Sequence, residues 1–568
     1  MENKEISKIL KFTSSIMELH GENEFKSRSY SIASYKIDQL TNPLSVLSAD
    51  QIAEIDGLGK SMSAKIRELI DTGKLTALEE YLEKTPLGVL DMLQLKGIGP
   101  KKIRVVWNEL GIEDIDSLEQ AGLDDQISKL KGFGKKTQQT ILDAIAYRKA
   151  NTGLLLYAEA EAIANELLLL LSEKFDVKFS VTGELRRKCE IVQKIELLAG
   201  TEENGKIIDF LSELENINYL PEISGPFSWR GHIREPYADV LIRFCAPSDF
   251  HNQLLLKTAS INHLNYTKEQ QPFIEILKKQ AFDSEEAAYR AIGLPYIVPE
   301  LREGRFEFEL AEKDELPNLI ETKDIKGIIH CHSTYSDGAH SLEEMATHCK
   351  ESGFEYLGIT DHSKTAVYAS GLKEDDIKRQ HDEIDRLNEK LHPFKIFKGI
   401  ESDILGDGSL DYDDDVLDSF DFIIGSIHSN IKMEEAQATE RIINAINNPY
   451  TTMIGHLTAR VLLQRPGFPV DYDKVIEACV NNEVILELNA HPSRLDLDWR
   501  WLRTALTKGM ITCINPDSHR KEGYRDIYYG TQVARKAGLE AGQCLNTRSL
   551  KDITAYFDER KTKALSRA

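Results

Sequence analysis

The sequence predicts a multidomain α/β chain, with an all-α N-terminal region, an α+β middle segment and a C-terminal (β/α)7 barrel. Three observations carry this prediction. A Gly-apolar-Gly turn recurs three times within the first 150 residues, each time opening a helical pattern. From about 151 to 320, helical patterns mix with strand-like runs. After about 325, seven short apolar runs alternate with helical patterns, as a parallel barrel requires. At 568 residues the chain exceeds one compact core, so several domains are expected.

The repeated turns are Ile55-Asp56-Gly57-Leu58-Gly59-Lys60, Leu95-Lys96-Gly97-Ile98-Gly99-Pro100-Lys101-Lys102 and Leu130-Lys131-Gly132-Phe133-Gly134-Lys135-Lys136. Their first glycines are 40 and then 35 residues apart, which marks repeated units. Such a turn leaves backbone N–H groups free at a positive helix end, where an anion binds. The candidate anion-binding residues are Gly57, Gly59, Lys60, Gly97, Gly99, Lys101, Lys102, Gly132, Gly134, Lys135 and Lys136. A lone copy would be an ordinary helix connection; three copies, each followed by lysine, resemble helix-hairpin-helix units, a resemblance that implies a grip on the DNA backbone.

In the middle segment a helix over Leu154–Phe175 precedes strand-like runs at Val177–Val181, Ile195–Leu198 and Ala238–Phe244. Helical patterns follow around Asp249–Thr258 and Glu269–Ile292, and the acidic stretch Ala311–Asp324 reads as a linker. The seven barrel runs are Gly327–Ile329, Tyr356–Ile359, Lys395–Ile400, Phe422–Ile427, Thr452–Ile454, Val484–Leu488 and Ile511–Ile514.

Net charge is −23, but residues 1–150 hold 21 Lys/Arg against 23 Asp/Glu, which leaves −21 on the rest. A near-neutral segment can still present a basic face to phosphate. No apolar run approaches the roughly 20 residues that span a bilayer. The opening Met1-Glu2-Asn3-Lys4-Glu5 carries no signal-peptide pattern. No membrane partner is therefore expected, and the seven cysteines, standing singly without a CxxC pair, fit a reducing cytoplasm better than a disulfide framework.

The ends of the seven runs carry the chemistry. They finish on His330-Cys331-His332, Asp361-His362, Glu401, His428, His456, Asn489 through His491, and Asp517-Ser518-His519. In a (β/α) barrel these ends ring one mouth. His330 and His332, two apart on a strand, share a face. Any one histidine there is more often structural than a ligand; 11 of the chain's 15 lying at or after position 330, mostly at run ends, is not chance. His340, His348, His381 and His392 lack this placement and read as surface residues. Imidazole with carboxylate favours Zn²⁺, Mn²⁺ or Fe. Several such ions close together suit phosphate-ester hydrolysis.

These residues resemble the PHP (polymerase and histidinol phosphatase) family. The resemblance covers 325–568 through His330-x-His332, Ser336-Asp337-Gly338, Thr360-Asp361-His362, Gly399-Ile400-Glu401, Ser426-Ile427-His428-Ser429, Gly455-His456 and Asp517-x-His519. It implies three divalent ions: one on His330, His332, Glu401 and Asp517; a second on Glu401, His428 and His456; a third on Asp337, His362 and His519. Glu401, Asp517 and His428 would be the catalytic members. Lys364, Arg460 and Arg494 are candidate phosphate contacts, with plain surface cations an equal reading.

The three turns are similar to helix-hairpin-helix units. The order of these units, a middle segment and a PHP barrel is similar to bacterial family X DNA polymerases, supported by Gly21-Glu22-Asn23-Glu24-Phe25-Lys26 and Gly293-Leu294-Pro295-Tyr296-Ile297-Val298-Pro299-Glu300-Leu301-Arg302. The resemblance implies a helical domain with a hairpin at 1–85, a fingers-like hairpin domain at 86–150, a nucleotidyltransferase-like palm and thumb at 151–315, and the PHP barrel at 325–568. The family's Gly-Ser-x-Arg-Arg becomes Gly183-Glu184-Leu185-Arg186-Arg187. Its Asp-x-Asp becomes Lys194-Ile195-Glu196, and its third Asp falls on Leu241, with Asp239 two residues earlier. Two-metal nucleotidyl transfer needs clustered carboxylates, so the palm is expected to be degenerate. Lys65 falls where some members carry a Schiff-base lysine; a lysine on an amphipathic helix is ordinarily just solvated.

The expected function is DNA repair by a metal-dependent 3′→5′ exonuclease acting on single-stranded or gapped DNA as a monomer. The alternatives are a small-molecule phosphatase of histidinol-phosphatase type on a DNA-binding scaffold, and a still-active gap-filling polymerase.

Overall fold

The structure, a computed structural model, describes residues 1–38, 40, 42–95 and 97–567. It divides into two compact units, residues 1–152 with 338–340, and residues 153–337 with 341–568.

The first unit is helical over residues 1–152. Three of its helices, α1 (Gly59–Thr72), α2 (Pro100–Leu110) and α3 (Lys135–Asn151), begin at the repeated turns. Each buries one stripe at helical spacing: Met62, Ile66 and Leu69; Ile103 and Val106; Ile141 and Ile145.

The second unit begins with a five-stranded sheet. Its strands are β1 (Lys178–Val181), β2 (Ile195–Gly200), β3 (Ile217–Tyr219), β4 (Ser228–Ile233) and β5 (Ala238–Cys245), in the order β1-β2-β5-β4-β3. The sequence signalled β1, β2 and β5. β3 is short and half-buried, and β4 is interrupted by Gly231, which weakens its strand pattern. β2 and β5 run parallel, with Glu196 opposite Leu241.

Seven parallel strands follow in chain order: β6 (Gly327–Ile328), β7 (Tyr356–Ile359), β8 (Lys395–Asp403), β9 (Phe422–Ser426), β10 (Met453–Ile454), β11 (Ile485–Asn489) and β12 (Thr512–Asn515). Their apolar runs are buried on both faces, the usual state of a helix-covered parallel sheet. A bridge between Cys331 and Ser518 brings the first and last strands together, with His332 N–H donating to Ser518 O at 2.9 Å. The barrel is thus nearly closed.

The stretch Ala311–Asp324 is not a loose linker. Ile320 is fully buried and its N–H donates to Leu539 O at 2.9 Å, while Asn318 N–H donates to Glu540 Oε1 at 2.7 Å. Apolar Leu316, Leu319 and Ile320 outweigh the acidic residues around them by finding a surface to cover. Sheet and barrel also share buried polar contacts. Glu190 accepts from Trp499 Nε1 at 3.2 Å and Arg500 at 2.7 Å, and fully buried Lys536 donates to Arg187 O at 2.7 Å and Glu303 at 2.6 Å. Among the described residues no helix is long and apolar enough to cross a membrane.

Candidate metal centre and nucleic-acid elements

All nine expected ligands converge at one mouth of the barrel. His330 and His332 follow β6; Glu401 lies within β8; His428, His456 and Asp517 each stand two residues beyond β9, β10 and β12. The backbone at His456 and Asp517 takes positive φ, 22° and 50°, turning these side chains back over the mouth. Asp337 and His519 are partly open, at 25% and 38% side-chain exposure, so solvent reaches the centre from that side.

Glu401 is the hub. Its Oε1 lies 3.0 Å from His456 Nε2, 3.2 Å from His428 Nε2 and 3.5 Å from His330 Nε2. Its Oε2 lies 2.9 Å from His362 Nδ1 and 3.7 Å from His332 Nε2. Asp517 Oδ1 is 3.0 Å from His332 Nε2 and 3.5 Å from His330 Nε2. Asp337 Oδ1 is 3.3 Å from His519 Nε2 and 3.6 Å from His362 Nε2. Two ligands bound at about 2.1 Å to one ion stand roughly 3.0–3.4 Å apart. That spacing is met by His456 and His428 on Glu401, His332 on Asp517 and His519 on Asp337. The other pairs, at 3.5–3.7 Å, are close to it, apart from His362 on Glu401 at 2.9 Å.

Burial without partners supports the same reading. His330 Nε2, His362 Nδ1 and Glu401 Oε2, which face the centre, are buried without a well-formed hydrogen bond. Such groups cost about 1–3 kcal/mol each unless something else satisfies them. Among the described residues three donor groups are compact enough for an ion: His332, Asp337, His362 and His519; His330, His332 and Asp517; and His362, Glu401 and His428. His332 and His362 each belong to two of these, a sharing that the sequence did not indicate.

Two carboxylates of the centre, Glu487 and Asp403, escaped the sequence reading, and a third, Asp361, stood there among the run-end residues. Glu487, fully buried, accepts from His330 Nδ1 at 2.7 Å, Asn515 Nδ2 at 2.9 Å and the His456 N–H at 2.8 Å. It fixes the tautomer and aim of His330. Asp403 Oδ1 does the same for His428 Nδ1 at 2.5 Å. Asp361 takes donors from Ser333, Ser336 and Gln380, so it braces the loop after β6 and is not a ligand. Glu487 lies two residues before Asn489, on the mouth-facing side of β11, and Asp403 two residues after Glu401; that period of two was the available signal. Glu487→Gln is expected to weaken metal binding about 10- to 100-fold with the fold retained, measurable by chelator competition.

The charges sort by partner. Burial disfavours every charged form here, but Glu401 is held well below the usual carboxylate range by His428, His362 and His330, and Asp517 likewise by His330 and His332. Burial would lower His428 and His519 too. The carboxylates of Glu401 and Asp403 nevertheless lift His428 to about 10, and Asp337 and Asp517 lift His519 to about 9. His332, buried beside His519 and His362, is pushed down to about 3 and stays neutral.

The candidate phosphate contacts divide. Arg494 Nε lies 3.9 Å from Asp517 Oδ2, at the centre. Arg460 is consumed by structure: it pairs with Asp498 at 2.9 Å and donates to the carbonyls of Arg494 and Leu495. Lys364 pairs with Glu374 at 3.0 Å. Of the histidines expected at the surface, His392 is exposed, whereas His381 is half-buried edge-on to Phe420.

The three turns agree at the first glycine and part at the second: Gly99 and Gly134 are extended N-caps, with φ of −91° and −141°, whereas Gly59 takes φ 44° as the first residue of α1. Gly57, Gly97 and Gly132 take φ of 87°, 91° and 82°, a left-handed conformation that favours glycine. Leu58 and Ile98 turn inward and are buried, with Phe133 partly so. A side chain at Gly59, Gly99 or Gly134 would meet nothing within 4 Å, so the backbone there is open to an approaching group. No side chain caps α1, α2 or α3. Lys60, Lys101, Lys135 and Lys136 are exposed; Lys101 pairs with Glu24 at 2.6 Å and Lys102 lies over the Phe133 ring. Lys96 lies outside the described residues. Lys65 sits with its ammonium over the Tyr30 ring, 4.6 Å from its centroid.

In the sheet, Glu196 accepts from both terminal nitrogens of Arg243 at 3.2 Å, and Lys194 Nζ lies 4.0 Å away. Arg186 grips Glu285 at 2.6 and 2.9 Å, and Arg187 pairs with Glu303 at 3.0 Å. Glu184 accepts from the Gln193 N–H at 2.7 Å, and Asp239 from Tyr237 OH at 2.9 Å. Among the described residues, every group of donors able to hold an ion lies in the barrel.

Comparison with known proteins matches this division. Residues 1–75 match the helix-hairpin-helix domain family, residues 89–146 the SAM-like helix-hairpin-helix tandem, and residues 329–491 the PHP domain. A probable phosphatase of Acetivibrio thermocellus is 32% identical over 28% of this chain and 64% of its own length. A probable phosphatase of Thermoanaerobacter sp. (strain X514) is 27% identical over 41% of this chain and 95% of its own. The DNA polymerase/3′-5′ exonuclease PolX of Bacillus subtilis (strain 168) is 36% identical over 98% of this chain and 99% of its own length. With hairpins, sheet and barrel matched end to end, the chain belongs to the PolX family.

Proposed function

We propose that this chain is a metal-dependent phosphoesterase that shortens DNA from the 3′ end during repair, with the barrel as its working active site. The observation that carries the reading is the convergence of five imidazoles, those of His330, His332, His362, His428 and His456, on Glu401, whose two oxygens face different ones. The family relationship and the three hairpin turns support DNA as substrate, single-stranded or gapped. The chain would work as a monomer in the cytoplasm.

Three divalent ions, Zn²⁺ or Mn²⁺ with Fe as a further option, suit these donors. Glu401, His428 and His456 would hold one, His330, His332 and Asp517 a second, and Asp337, His362 and His519 a third. Bound there, such ions supply Lewis-acid polarisation of the phosphate and a lowered water pKa. The chain's own residues prepare the site. Glu487 and Asp403 fix the imidazoles of His330 and His428. Arg494, 3.9 Å from Asp517, would meet a non-bridging phosphate oxygen. The hairpin turns would hold the DNA backbone through N–H groups and lysines without reading sequence. In the sheet, Lys194 and Leu241 would stand where nucleotidyl transfer needs carboxylates, with Glu196 already paired to Arg243, so this part would serve as scaffold.

Metal binding is expected to release protons. At neutral pH the metal-free chain keeps His428 (about 10) and His519 (about 9) protonated, and both must become neutral to ligate. Apparent affinity should therefore rise with pH through 7 to 9 and level off above about 10. Calorimetry in buffers of different ionisation enthalpy counts the protons; an affinity independent of pH would contradict this. A nuclease assay on single-stranded and gapped oligonucleotides, run beside p-nitrophenyl phosphate, tests the reading. The phosphatase relatives match only 28% and 41% of this chain, and preference for the small monoester would favour a small-molecule phosphatase instead.

A further inference from the structure

We propose that Tyr368, with Val367 beside it, is a stacking platform for the base of the nucleotide whose phosphate occupies the metal centre. The proposal rests on the reading that this centre cleaves DNA, and it names what part of the substrate the barrel itself would recognise.

Both residues belong to the loop that leaves His362. The Tyr368 ring centroid is 6.1 Å from that of His362. Around them the loop turns small side chains inward: Ala366 and Ala369 are fully buried, while Val367 and Tyr368 are 82% and 65% exposed. Among the described barrel residues the other exposed large apolar side chains are Val480 and Leu565, each on a helix away from these ligands. An adjacent exposed pair beside buried ligands is therefore singular in this barrel.

The loop is braced, so the exposure is not that of a slack segment. Leu372 N–H donates back to His362 O at 2.9 Å, and Ser363 and Leu372 form a bridge. Gly371 closes it, where a Cβ would fall 1.8 Å from Ser363 O and no side chain fits. Thr365 Oγ1 donates between Asp403 Oδ2 at 2.8 Å and Asp411 Oδ2 at 2.9 Å, and its N–H donates to Asp411 at 2.7 Å. Tyr412 OH accepts from Lys364 N–H at 3.1 Å and donates to Leu372 O at 2.5 Å. Asp403 also orients His428, so one carboxylate ties the loop to the ligand set. A rigid tyrosine offers a large face at little entropic cost, and every base has a π-face for it. A phosphate monoester without a ring gains nothing from such a residue. The placement selects nucleotides.

The test compares two 5′-labelled single strands that differ only at the 3′ end, one with a normal nucleotide and one with an abasic tetrahydrofuran residue. The full-length metal-loaded chain is expected to prefer the normal end by about 5- to 150-fold in kcat/KM, the range that stacking one base gives. Tyr368→Ala should erase that preference, and Tyr368→Trp or Tyr368→Phe should restore it. Metal per chain shows that the centre is intact in each variant. A preference retained in Tyr368→Ala would overturn the proposal alone. Failure of the parent chain to cut either strand would overturn the nuclease reading and this proposal with it.

Discussion

His332→Ala and Asp517→Ala are each expected to reduce DNA hydrolysis by more than about 100-fold, beyond the 10–100-fold that losing an outer partner of a ligand costs. His332 belongs to two of the three donor groups, so its loss opens both. Its imidazole is already neutral, held at about 3 by burial and by His519 and His362, and is therefore ready to ligate. Asp517 brings the negative charge that His330 and His332 face. The measurements are initial rates on a labelled oligonucleotide and metal content per chain, which should fall together. Full activity in either variant would place the chemistry elsewhere.

Primer extension on gapped DNA should yield no incorporation above background, with Mg²⁺ or with Mn²⁺. The reason is electrostatic. A transferring palm holds two dications on clustered carboxylates. Here Glu196 already faces Arg243 at 3.2 Å and Lys194 at 4.0 Å, and the position opposite it on β5 is Leu241. Glu184 adds a like charge where a triphosphate would enter. Incorporation that disappears in Glu196→Ala would refute this and restore the polymerase alternative.

The architecture was legible where local pattern and tertiary role coincide. Each barrel strand is an apolar run ending in a polar residue, so both the strand and its ligand show in one stretch, as at Phe422 through His428. The hairpin turns were equally plain, because left-handed glycines at Gly57, Gly97 and Gly132 leave few substitutes. What was not legible depends on partners distant in sequence. Glu487 reads as a stray acid in a strand until His330, 157 residues earlier, is found on it. Arg460 looked free for phosphate because its partner, Asp498, lies 38 residues on. The run 311–324 looked like a linker from its acids, yet Ile320 decides its fate by packing. The register of β5 against β2, which sets Glu196 opposite Leu241, depends on pairing between segments some 45 residues apart and was not readable from either strand alone.

The most direct measurement is digestion of a 5′-labelled single strand by the purified chain, stripped with chelator and then reloaded with Mn²⁺ or Zn²⁺. The account predicts no cleavage when stripped, and on reloading a ladder of products shortened one nucleotide at a time from the 3′ end. Cleavage that survives chelation, or a reloaded chain that leaves the strand intact, would contradict it.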